Sequence, residues 1–175
     1  MQRFPENTLI AVHIVATLVI CWLGMMAIHE AGHVLAGWST GGSVSKVVLH
    51  PLAISRTDLS HNPRPWIVVW GGPLFGTALP AVLWLIARGL KLPAEPWFRF
   101  FAGFCWIANG AYIGFGSLDR IGDAGDMLRH GSEIWDLWLF GAITIPAGLW
   151  LWHGTGRYFG LGREGKTPSR QLVLI

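Results

Sequence analysis

Four long apolar runs, at residues 9–28, 66–87, 98–115 and 134–152, constrain what this chain can fold into more than any other feature. Each comes close to or exceeds the roughly 20 mostly apolar residues that a helix needs to cross the hydrocarbon of a bilayer. Inside lipid an unpaired backbone N–H or C=O has no water to bond, so a spanning segment of this kind is a helix. Composition argues against four buried helices in a water-soluble domain. Of the residues 52% are hydrophobic and 13% charged, about half the charged fraction usual for a globular protein. The runs therefore predict an all-α polytopic membrane protein, a single domain over residues 1–175, with helices at about 9–37, 66–87, 98–115 and 134–152. Trp66, Trp97, Trp135 and Trp152 stand near run ends, where an amphipathic ring favours the lipid–water boundary.

Residues 43–49 alternate in the manner of a strand, and the proline-rich stretch after them breaks any helix. A short membrane-associated strand or hairpin is expected there, after the first helix. The net charge of +3 suits a membrane protein facing anionic lipid, and no basic cluster is dense enough for a nucleic-acid partner. With the N-terminus cytoplasmic, eight Lys and Arg fall on that side (Arg3, Arg88, Lys91, Arg99, Arg157, Arg163, Lys166 and Arg170) against five opposite. The positive-inside rule then favours both termini inside, with a bacterial cell membrane as the expected setting. Cys21 and Cys105 lie inside apolar runs, at a spacing that matches neither a disulfide framework nor a zinc finger.

At the end of the first run stands His29-Glu30-Ala31-Gly32-His33, a His-Glu-x-x-His pattern on a helix. Positions i and i+4 share a face, so both imidazoles can reach one zinc ion, and the glutamate between them can hold a water. An uncompensated glutamate between two histidines at the end of a membrane helix costs a few kcal/mol, and such groups usually face a cavity and serve function. Taken singly, His13, His50, His61, His130 and His153 read as interfacial or hydrogen-bonded residues. His13, sixteen residues before His29, points to nearly the opposite helix face.

A catalytic zinc needs a third protein ligand and an open position. Asp119, Asp123 and Asp126 crowd together just after the third run, which makes that cluster the natural donor. The competing reading is a solvated acidic loop in which Asp123 caps a helix running into Met127 and Leu128.

His29-Glu30-x-x-His33, then Gly41-Gly42, then Gly71-Gly72-Pro73, then Asp123-Ala124-Gly125-Asp126-Met127-Leu128 together resemble the site-2 protease (M50) family of intramembrane metalloproteases, and most closely its compact branch of sporulation factor IVFB-like proteins. In that family a later Asp-Gly-x-x-apolar-apolar segment supplies the third ligand. The resemblance implies Asp123 for that part, since Met127 and Leu128 follow at the right offset, whereas Asp126 matches only a variable position. Three departures stand out: Ala124 replaces a glycine, Gly76 replaces the asparagine of Gly-Pro-x-x-Asn, and Asn109 lacks the proline that usually follows.

The resemblance and the residues imply one zinc ion held by His29, His33 and Asp123, and Glu30 as the base that deprotonates a water attacking the scissile carbonyl. The substrate would be a transmembrane or membrane-associated protein, presented in extended form to the strand at 43–49. Asn109, polar within an apolar run, either binds the substrate backbone or makes a helix–helix hydrogen bond. Two rival readings keep the same residues: a non-proteolytic membrane scaffold or regulator, and a transporter or bis-imidazole haem protein.

Overall fold

The computed structural model describes residues 6–52 and 55–159, so Arg3, Arg163, Lys166 and Arg170 of the charge count lie outside the described residues. Its first element, α1 (Glu6–Ser39), is one unbroken helix of 34 residues, about 51 Å long at 1.5 Å per residue. The His-Glu-x-x-His segment is thus carried well along a helix already longer than the hydrocarbon. A hairpin follows, β1 (Ser43–Val48) antiparallel to β2 (Arg56–His61), with Val47 opposite Thr57 and irregular register around Val44. The expected hairpin is present, and its second strand is the segment the alternation did not single out. The chain continues through α2 (Pro65–Gly89), α3 (Glu95–Asp119), α4 (Gly122–Arg129) and α5 (Ile134–Trp152), and a 3-10 turn at Thr155–Phe159.

Among the described residues three helices are long and apolar enough to cross a membrane: Thr8–Ser39, Pro65–Gly89 and Ile134–Trp152. The fourth expected span, 98–115, is a helix in the expected place but not one of that apolarity. Its position explains why. All three buried clusters among the described residues include α3 residues: Met25, Met26 and Cys105 against α1; Trp84, Ala102 and Leu151 against α2 and α5; Val69, Ile113, Ala124, Met127 and Leu137 around the α2–α5 end. A helix surrounded by other helices can carry glycines and an asparagine where a lipid-facing one carries Leu or Val. Close packing requires those glycines. A Cβ on Gly148 would stand 2.8 Å from the Gly103 carbonyl, and one on Gly141 3.0 Å from the Gly110 carbonyl, so α3 and α5 meet backbone to backbone.

The outward face of α1 is apolar, with Val12, Val15, Val19 and Ile20 each more than half exposed. Of the tryptophans expected at the boundary, Trp66 and Trp135 face outward at 52% and 69% exposure. Trp97 and Trp152 pack inward instead, Trp97 edge-on to His13 and Trp152 stacked on Phe100 with ring centroids 4.9 Å apart.

Candidate metal centre

His29, Glu30 and His33 lie where α1 crosses α2, and all three are buried, at 5%, 2% and 5% exposure. The crossing is close because both helices present glycine there. A Cβ on Gly32 would overlap the Gly71 carbonyl and stand 2.7 Å from Cβ of Phe75. Glycine between the paired histidines thus brings their rings against α2.

Each imidazole is oriented by a partner on its outer nitrogen. His33 donates from Nδ1 to the Val68 carbonyl at 2.8 Å, and a carbonyl can only accept. His29 Nδ1 lies 2.6 Å from Oδ1 of Asn109, whose own Nδ2 donates to the Cys105 carbonyl at 2.8 Å. With that amide's donor end engaged, its oxygen accepts from His29. Both rings therefore spend their N–H on Nδ1 and turn a lone pair on Nε2 toward a common point.

Asp123 completes the convergence. Its Oδ2 lies 2.8 Å from Nε2 of His29 and 3.2 Å from Nε2 of His33, and the two nitrogens are 3.1 Å apart. Three acceptor atoms this close repel one another unless a positive charge lies among them.

A metal ion fits that requirement. Bonds of about 2.0–2.1 Å opened to tetrahedral angles would set ligand atoms about 3.3 Å apart, close to the 2.8–3.2 Å found. Gly72 keeps α2 clear of these nitrogens, since a Cβ there would overlap the His33 ring and stand 2.8 Å from Nε2 of His29. Two nitrogens side by side on one helix face do not suit the opposite axial positions of a haem.

Asp123 is delivered by a sharp reversal after α3. Arg120 and Gly122 both adopt positive φ, 54° and 53°, and a side chain at Gly122 would run into the Tyr112 hydroxyl. That hydroxyl accepts the Asp123 backbone N–H at 3.2 Å, pinning the first turn of α4 beside α1. Asp123 is not the cap of this helix, because Ile121 takes that position and Asp123 lies in the first turn. Asp126 pairs with Arg129 three residues on, in an exposed contact.

Glu30 stands beside the convergence point, with a carboxylate oxygen within 4.8 Å of a ring nitrogen of each histidine. Its Oε2 accepts a hydrogen bond from Thr57 Oγ1 at 2.7 Å. The strand that reaches the site is therefore β2, and β1, expected to receive an extended substrate, lines neither of the two cavities that flank it. One cavity, about 580 Å³, touches His29 and Glu30 and is walled by Trp22, Met25, Met26, Leu52 and Ala108. The other, about 480 Å³, touches His33 and Asp123 and is polar, with Arg56, Asp58, Asn62 and His130.

The structure thus brings together all four of His29, Glu30, His33 and Asp123, and places Asn109 against His29 as a helix–helix hydrogen bond. Sequence reasoning missed Thr57, Tyr112 and the Val68 carbonyl. A backbone carbonyl has no sequence signal, and a threonine alternating along a strand looks like any other. Compared with protein-family models, with curated proteins and with solved structures, the chain matches none.

Proposed function

We propose that this chain is a multi-pass integral membrane zinc metallopeptidase, akin to the site-2 proteases, that hydrolyses peptide bonds of transmembrane or membrane-associated proteins. One observation carries the reading: Nε2 of two imidazoles and a carboxylate oxygen converge within 2.8–3.2 Å, with the other ring nitrogens already committed. Two imidazoles and one carboxylate form a donor set suited to catalytic zinc.

Zinc in such a site supplies Lewis acidity, acidifying a water and polarising a carbonyl. The chain's own groups do the rest. Thr57 holds Oε2 of Glu30, which leaves Oε1 to take the proton of the attacking water. The same oxygen then delivers it to the amide nitrogen as the C–N bond breaks. The apolar cavity beside Glu30 suits the membrane-derived part of a substrate, and the polar cavity beside Asp123 suits water and a cut end. Burial on both sides keeps the carboxylate from bulk solvent, where its proton transfer would be less well directed.

The test is metal analysis of the purified protein together with cleavage of transmembrane peptides in reconstituted vesicles. About one zinc per chain with cleavage is the expected result. Zinc with no cleavage of any such peptide points to the scaffold reading, and a protein that takes up no zinc sinks the proposal.

A further inference from the structure

We infer that Asn109 is a positioning residue of the metal centre, whose amide oxygen sets the ring of His29, and that residue 76 is glycine to leave that amide its place. The inference rests on the metal-binding reading above and deepens it.

Asn109 is 1% exposed in the middle of α3, where an amide without partners would be costly. Both of its ends are engaged, the nitrogen to the Cys105 carbonyl at 2.8 Å and the oxygen to His29 Nδ1 at 2.6 Å. The first bond lies within α3 and decides which way the amide faces. The second therefore presents an acceptor to the imidazole, which retains its proton on Nδ1 and keeps Nε2 free for a metal.

Helix α2 is cut to match. A Cβ at Gly76 would stand 2.9 Å from Nδ2, 3.0 Å from Oδ1 and 3.2 Å from Cγ of Asn109, tighter than a fixed amide tolerates. Gly72, one turn earlier on the same face, is the residue that leaves room at the imidazole nitrogens. Two notches four residues apart thus serve one histidine, the first at its Nε2 and the second at the partner of its Nδ1.

The test is zinc affinity by chelator competition in detergent, with the visible spectrum of the cobalt-loaded protein as a report on ligand geometry. Asn109→Leu, similar in size but unable to accept, should weaken zinc binding about ten- to a hundredfold and alter the cobalt bands. Asn109→Asp keeps an acceptor oxygen and should restore affinity to within a few fold. Gly76→Ala, which crowds the amide, should weaken binding less and in the same direction. A purely structural role would lower thermal stability and leave the cobalt spectrum of the folded protein unchanged. Wild-type zinc affinity in Asn109→Leu, or equal losses in the Leu and Asp variants, overturns the inference. If Asn109→Leu does not fold, Asn109→Asp and Gly76→Ala decide it: a large loss in the first or none in the second counts against it. Absence of zinc from the wild-type protein sinks the metallopeptidase reading itself, whereas zinc uptake indifferent to residue 109 sinks this inference alone.

Discussion

Gly72 of α2 faces His29 so closely that a Cβ there would stand 2.8 Å from Nε2. Intrinsic propensity favours alanine over glycine inside a helix by about 1 kcal/mol, so Gly72→Ala ought to be harmless on local grounds. The site predicts otherwise. Gly72→Ala should keep its helical circular dichroism and lose most of its zinc in a chelator titration, and retention of wild-type affinity would show that the space beside Gly72 holds no ion.

His33→Ala removes one of two nitrogens aimed at the same point and leaves a carboxylate and one imidazole. Near-complete loss of zinc is expected, from about one ion per chain in the wild type. Atomic emission on matched preparations measures it, and equal metal in both would refute the assignment.

Glu30→Gln separates base from ligand. The amide cannot take a proton from water, yet the three converging atoms are untouched, so zinc content should hold while cleavage falls about a hundredfold or more. Turnover assayed at known metal load decides the matter, and undiminished cleavage excludes Glu30 as the base.

Asp123 and Asp126 lie three residues apart on a short helix and should behave differently. Asp123 faces both imidazoles, whereas Asp126 is paired with Arg129 at the surface. Asp123→Ala should lose zinc and activity together. Asp126→Ala should keep most of both, since an exposed pair contributes little, about 0–1 kcal/mol. The reverse order in one titration would make Asp126 the ligand.

What could be read from the sequence was whatever local spacing encodes. The i, i+4 step placed His29 and His33 on one face, whereas spacing alone left the acidic cluster open as ligand or cap, and Asp123 was implied only by the resemblance to the site-2 protease motif. Alternation over residues 43–49 found β1 but not β2, because Arg56 to His61 mixes charged and polar residues without a clean apolar face. The apolarity of 98–115 suggested a lipid-facing span. Its glycines and Asn109 make sense only once α1, α2 and α5 surround it. Partners such as Tyr112 for the Asp123 backbone, or Val68 for His33, depend on which helix lies beside which.

The converging groups come from distant parts of the chain: α1 carries two, and the third arrives ninety residues after His33, on α4. On the proposed membrane reading, α1 reaches the bilayer during synthesis with His29, Glu30 and His33 bare, before Val68, Asn109 and Asp123 have been made. Polar groups in that position burden insertion by a few kcal/mol. On that reading the first helix relies on its own apolar stretch to enter the membrane, and on helices not yet translated to make it comfortable there. Any truncation before α4 leaves a helix with a permanent polar notch, a mark by which an unfinished chain differs from a finished one.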